Sequence, residues 1–291
     1  MRALTLALLM ACAGAFAGAC SRAEEAVPGV AEVGVTVAPA RVEAGGPLLL
    51  SYSFTAAAPG PVPADHWVFV HALDDGNELL WTDDHVPPTP TQNWKPGVPF
   101  VYQRTMFVPR DVEPGTIRFE VGLFSRASGD RLPLSGQDRG MRSYEVGTVA
   151  VEAPSNPVVA GEGWYDAETG EGPGRQWQWS RKDARLSFRN PKAPVTLYLE
   201  FNQPVTALPA SQAVEVRGPA GVLSAVSLAP GTTQLVRIPM SAEQLGTAET
   251  IELTVAVGQT FVPAATAQLK SSDTRELGIR LLNAFVEARG S

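Results

Sequence analysis

Along most of this chain apolar residues recur at every second position, in short runs broken by turn-forming residues. In "VGVTVAP" Val33, Val35 and Val37 share one face, because successive side chains of an extended strand point to opposite sides. The same pattern marks "LLLSYSFT" (48–55), "WVFVHAL" (67–73), "ELLWTD" (78–83), "FVYQRTMFV" (100–108), "TIRFEVGLFS" (116–125) and "YEVGTVAV" (144–151). Seven such strands are enough for one sandwich. A second series follows in "ARLSFRN" (184–190), "VTLYLEFN" (195–202), "AVEVRG" (213–218), "TQLVRIPM" (233–240) and "TIELTVAV" (250–257). "ELGIRLLNAFVEA" (276–288) fits a helix or a strand, and the alternation of Leu277, Ile279 and Leu281 favours the strand. "SAEQLG" (241–246) has Ser, then Gln three residues on, then Gly, which predicts a single capped helical turn.

The interruptions have mechanisms of their own. "DDGN" (74–77) carries the Asp-Gly chemistry of a tight hairpin, and "EPGT" (113–116) sets Pro and Gly ahead of the strongest strand. "VPPTPTQNWKPGVP" (86–99) holds too many prolines to donate in a sheet ladder and reads as a long ordered loop. "EAPSNPVVAG" (152–161) reads as a linker. The pattern therefore predicts an all-β chain of two consecutive antiparallel β-sandwich domains, Ig-like or jelly-roll-like, over 33–152 and 161–291 with a connection at 153–160. The two blocks share this grammar but no motif, so they are not an internal repeat.

The N-terminus departs from the alternation. A basic Arg2, an apolar run from Ala3 to Phe16 and small residues after it have the form of an export signal over residues 1–19, too short to span a bilayer. "AGAC" (17–20) resembles the bacterial lipobox, with Leu9-Met10-Ala11-Cys12 a weaker match. The resemblance implies that Cys20 becomes the lipidated first residue of the mature protein, that 20–32 is a tether, and that Ser21 directs it to the outer membrane. Cys12 and Cys20 are the only two cysteines, so the mature body is expected to have neither an internal disulfide nor a thiolate metal site. A net charge of -7 with scattered Lys and Arg argues against a nucleic-acid partner, which demands a basic stripe.

Residues 67–134 combine Phe69-Val70-His71, the Asp74 and Gly76 hairpin, Trp94-x-Pro96-Gly97, Pro114-Gly115-Thr116, Val121-Gly122-Leu123-Phe124 and Gly129-x-Arg131-Leu132-Pro133. In order and spacing this block resembles a β-sandwich module of the extracytoplasmic parts of bacterial membrane glycosyltransferase-type proteins. The second block, with Gly163-Trp164-Tyr165, then Gly174-Arg175-x-Trp177-x-Trp179, then Asp273-x-Arg275-x-Leu277-Gly278, is similar to another envelope-associated module. Neither resemblance brings a catalytic residue; both imply a setting near surface polysaccharide or lipid-linked sugar.

Candidate chemistry concentrates in "GEGWYDAETGEGPGRQWQWS" (161–180). Trp177 and Trp179 stand two apart and so share a strand face, which suits either a ring platform for sugars or burial; periodicity favours packing into the core. The polar loop between Tyr165 and Arg175 is left free for a partner. Arg175 is a candidate for a bidentate tie to Asp273 or Glu168, or for contact with an anion. Trp94, Trp164, Tyr165, Arg175 and Trp177 are the candidate ligand-binding residues.

His66, His71 and His85, with Asp74, Asp75, Asp83 and Asp84, lack the i, i+2 or i, i+4 spacing of a shared ligand face, and "ELLW" interrupts any calcium loop, so no metal site is expected. His71 is expected to be a partly buried histidine bonded to backbone. No nucleophile, zinc or phosphate-loop motif occurs. Glu162, Asp166, Glu168 and Glu171 read as a solvated acidic loop rather than a glycosidase pair. The sequence thus points to a non-catalytic envelope lipoprotein without cofactor, associated with surface carbohydrate, or else docked onto an envelope protein complex.

Overall fold

The computed structural model describes residues 28–58, 60, 62–64, 66–203 and 208–288. The export signal, Cys20 and most of the tether lie outside this set. No helix among the described residues is long and apolar enough to cross a membrane.

The chain is all-β and forms two sandwiches in succession. The first contains β1 (Ala31–Ala38), β2 (Arg41–Glu43), β3 (Pro47–Ala56), β4 (His66–Leu73), β5 (Leu79–Thr82), β6 (Pro99–Phe107), β7 (Gly115–Ser125), β8 (Arg131–Leu132) and β9 (Tyr144–Glu152). One layer is β1-β3-β6; the other is β2-β9-β7-β4-β5, with β8 also paired to β7. All pairs are antiparallel except β2 with β9. Alternation dictates which side faces in. On β3 the buried set is Leu48, Leu50, Tyr52, Phe54 and Ala56, and it meets Phe119, Val121 and Leu123 of β7 in one core. Each large apolar side chain buried this way contributes roughly 1.5–3 kcal/mol.

The second sandwich contains β10 (Val159–Ala160), β11 (Glu168–Thr169), β12 (Gln176–Trp179), β13 (Asp183–Arg189), β14 (Val195–Asn202), β15 (Gln212–Gly218), β16 (Gly221–Leu228), β17 (Thr233–Met240), β18 (Thr250–Val257) and β19 (Arg280–Ala288). Its layers are β10-β13-β18-β15-β16 and β11-β12-β19-β14-β17. They enclose Leu186, Leu197, Leu199, Phe201, Val216 and Leu253. Ser241 caps α1 (Ala242–Leu245), with Gln244 reaching back to the Ser241 backbone, so the expected turn is a reciprocal capping box.

The connection is shorter than the composition suggested, since Val158 joins the second core and Val159 already pairs with Ser187. β1 likewise starts two residues inside the expected tether. The hairpin at 74–77 forms, but the left-handed position is taken by Asn77 at φ 65°, a residue whose short amide tolerates it, and not by Gly76. β16 is an addition to the strands expected: in "GVLSAVSL" Leu228 is buried and Leu223 and Val226 pack against the second core, but these apolar positions do not keep one alternation, and the register with β15 slips at Val216/Arg217.

Candidate functional site: the cleft between the sandwiches

The two sandwiches meet along β5 and β6 on one side and β12, β14, β17 and β19 on the other. Arg237 Nη2 donates to Thr105 Oγ1 at 2.8 Å, Gln176 Nε2 to Asp111 Oδ2 at 3.0 Å and Arg110 Nη2 to the Ala284 carbonyl at 3.3 Å. Gly174 sits at the closest approach. Its φ of 70° is left-handed, and a Cβ there would lie 2.6 Å from Trp81 Cβ and 2.9 Å from Pro109 Cγ. Behind these contacts a cleft of about 510 Å³ remains open between the two bodies, within the range of small-ligand sites, which favour domain interfaces.

The first sandwich lines it with a bound charge pair. Asp83, just past β5, accepts from Arg104 Nε at 2.9 Å and Arg104 Nη2 at 2.8 Å. This fork is anchored from below. His85 places Nδ1 on the Asp83 carbonyl and Nε2 on the Tyr102 hydroxyl, both at 2.8 Å. Tyr102 stacks on Tyr52 at 4.7 Å. Burial lowers the His85 pKa to about 4, so the ring is neutral near pH 7. Asp84 accepts from the Val70 N–H at 3.2 Å, and burial raises its pKa.

The second sandwich supplies Trp177, Glu200, Asn202, Arg280 and Asn283. Glu200 accepts from Asn283 Nδ2 at 2.6 Å; burial raises its pKa against that bond. Arg280 donates from Nη2 to Asn202 Oδ1 and lies 5.3 Å and 5.4 Å from the ring centres of Trp177 and Trp179. Arg280 and Asn283 are three apart and would face opposite ways on a regular strand. The β14–β19 register slips at Glu200/Phe201, leaving Leu282 unopposed, and this bulge turns both polar side chains to the cleft.

The expected residues divide. Arg175, exposed, and Trp177, half-buried, both line the cleft. Trp94 does not, and its expected exposure is corrected. It is 3% exposed, stacked between Phe54 at 4.9 Å and Phe100 at 5.3 Å, with Nε1 donating to the Thr89 carbonyl at 2.9 Å. The proline-rich loop folds back through a 3-10 turn at Thr91–Asn93 and plugs the end of the core with it. Trp164 packs against the second core, and its buried Nε1 has no hydrogen-bond partner among the described residues. Tyr165 lies outside the cleft as well, between the guanidinium groups of Arg181 and Arg275, each 5.1 Å from its ring, and donates to the Glu276 carbonyl at 3.1 Å.

Two further expectations change. The tie to Asp273 is made by Arg275 and not Arg175: Arg275 Nη2 reaches Asp273 Oδ2 at 2.7 Å and Glu168 Oε1 at 2.8 Å. The Arg275 backbone N–H also donates to Asp273 Oδ1 at 2.9 Å, a local turn that brings the two side chains together, while Arg175 lines the cleft. Arg275 in turn holds the Asp273 carboxyl below its ordinary pKa. The Trp177/Trp179 pair does share a face, and Trp179 is buried on it as expected, but Trp177 is half-buried and neither belongs to the second core cluster, which lies on the other side of the strand. Gln178 is opposite Leu281, a core residue, whereas Trp179 is opposite Arg280. Both indole N–H groups donate to Glu168 Oε2, at 3.2 and 3.3 Å, and Trp179 is buried edge-on against Phe261. Glu168 is thus a structural carboxylate within the loop read as solvated.

The histidines are dispersed. His66 Nδ1 lies 2.8 Å from the Ala64 carbonyl, His85 is in the first core, and the half-buried His71 stands 4.7 Å from the Phe69 ring, with no backbone bond to its ring among the described residues. Among the described residues no three His, Cys, Asp or Glu side chains gather as metal ligands.

No protein-family model matches the chain, and no curated protein matches it. Solved structures with partial likeness include a Pseudomonas fluorescens alkylpurine DNA glycosylase bound to DNA containing an abasic site analog, at 16% identity over 43% of this chain and 31% of that one, TM-score 0.29. A secreted serine protease from Vibrio cholerae matches at 8% identity over 87% of this chain and 51% of its own, TM-score 0.24. A Bacillus subtilis glycoside hydrolase family 43 arabinoxylan arabinofuranohydrolase, in complex with cellotetraose, matches at 8% identity over 89% and 54%, TM-score 0.25. The chain spans between a third and about half of these proteins, and likeness this weak bears on no function.

Proposed function

We propose that this protein is an exported, lipid-anchored envelope protein that binds a carbohydrate segment, without catalysis, in the cleft between its two sandwiches. The observation that carries this reading is the wall composition. Half-buried Trp177 stands among planar polar side chains, Asn202, Asn283, Glu200 and the Asp83–Arg104 fork, fixed by bonds to one another. A sugar ring presents C–H faces that pack on indole and hydroxyls that pair with fixed carboxylate, amide and guanidinium groups, so it matches both halves of such a wall. The lipobox resemblance at 17–20 supports the anchor at Cys20, and Ser21 after it supports the outer-membrane address.

A glycan array probed with the protein and with Trp177→Ala tests the site. Retention of a glycan class by the first and its loss in the second is the expected result; no retention of any glycan overturns the reading. Cys20→Ser is expected to move the protein from the membrane to the soluble envelope fraction, and unchanged membrane fractionation overturns the anchor. A second reading, docking onto an envelope protein complex, draws on β6, an outer strand of its layer with Val101, 63% exposed, on its outward face opposite Ser53. It predicts a cross-linked partner at Val101 and no glycan retention.

A further inference from the structure

Charge in the cleft is unevenly matched. Of its acids, Asp83 is fully engaged by Arg104, while Asp84 and Glu200 are desolvated and accept hydrogen bonds from Val70 and Asn283. Arg280 is matched less directly: the carboxylate that acts on it, Glu168, is out of ion-pair distance and is engaged by Arg275 and by the two indole N–H groups. Arg280 Nη2 is bonded to the neutral amide of Asn202, its buried Nε has no hydrogen-bond partner among the described residues, and two indole rings cover it. Among the described residues neither Arg280 nor Arg175 has a carboxylate within ion-pair distance. A guanidinium withdrawn from water is stable when an anion meets it, and indole faces with a single amide offset only part of that loss. In a chain of net charge -7, Arg110, Arg175 and Arg280 give this cleft three arginines outside any ion pair among the described residues, Arg110 being bonded to the Ala284 carbonyl.

We infer that the ligand of this cleft is an acidic glycan, with a sugar carboxylate met by Arg280 and with the exposed Arg175 drawing it in. This rests on the carbohydrate reading above and names its substrate class. Arg280 meets the carboxylate with guanidinium N–H donors, a geometry that a neutral hydroxyl fills less strongly.

The test is titration of the full chain in detergent, followed by tryptophan fluorescence, with tetramers of galacturonate, glucuronate and mannuronate. Each is compared with its methyl ester, which keeps the ring and removes the charge. An acid tetramer is expected to bind about tenfold or more tightly than its ester, with the advantage shrinking as sodium chloride is raised. Arg280→Gln is expected to erase that preference. Arg175→Gln, at an exposed position where folding is not at stake, is expected to reduce acid affinity by roughly threefold to tenfold and so to narrow the preference for acid over ester. Equal affinity for acid and ester, or a neutral glycan on the array bound as tightly as any acid, overturns the inference and leaves the carbohydrate reading standing. An acid preference that survives both substitutions overturns the assignment to these arginines. Binding of no glycan at all overturns both readings.

Discussion

Asp83 and Arg104 face each other as a fork, two N–H donors on two carboxylate oxygens at 2.9 and 2.8 Å, at the point where the first sandwich meets the second. The pair belongs to the first sandwich alone yet forms a wall of the cleft, so the fork needs no group from the second sandwich. Asp83→Asn leaves the guanidinium half-buried with one neutral acceptor. Because Arg104 keeps about a third of its side chain in water, the expected loss is modest, about 1–2 kcal/mol by urea denaturation. Glycan retention is expected to fall with it, since Arg104 is then free to change rotamer. An unchanged urea midpoint would show that the fork stabilises nothing.

His85 gives a pH dependence of definite sign. Its ordinary pKa of 6.5 drops to about 4 in the folded protein through burial, with the nearby Arg104 charge assisting. Between those values the unfolded chain binds a proton that the folded chain refuses. Stability is therefore full above pH 6.5 and falls as the pH drops toward 4, by up to about 3 kcal/mol. Asp84 and Glu200, whose pKa values burial raises, act in the opposite sense. The difference between the protein and His85→Gln, measured by thermal melts across pH 4–7, isolates the histidine; a constant difference across that range would contradict this account.

The two neighbouring tryptophans are expected to separate stability from binding. Trp179, buried against Phe261, loses about 3 kcal/mol on truncation to alanine. Trp177, half-buried on the cleft wall, loses about 1–2 kcal/mol but all detectable glycan retention. The reverse order in the two assays would remove Trp177 from the site.

Gly174 tests the cleft without touching a ligand group. In Gly174→Val the new side chain collides with Trp81 and Pro109, and the left-handed backbone becomes strained. Each sandwich keeps its own core, so far-UV circular dichroism is expected to be unchanged. The cleft widens, and glycan affinity is expected to fall about tenfold or more. Retained affinity would place the binding surface elsewhere.

Period-two alternation, together with the Gly, Pro and Asp-Gly interruptions, determined the all-β class, the division into two bodies and the span of most long strands. These are local properties, imposed by strand geometry on each run of residues separately. It also singled out Trp177 and Arg175, both of which line the cleft. What alternation reports, though, is which residues share a face, not which face lies inward. The Trp177/Trp179 pair was assignable to one side of β12, but only the pairing of Trp179 with Arg280, about a hundred positions distant, turned that side away from the core. Tertiary structure alone made the rest: the bulge that swings Arg280 and Asn283 together, the loop that closes Trp94 into the first core, the exchange of Arg175 for Arg275 at Asp273, and a cleft whose walls come from different sandwiches. The reason is that strand register and domain contact are long-range choices, settled by the packing of whole sheets and leaving no periodic trace in either segment.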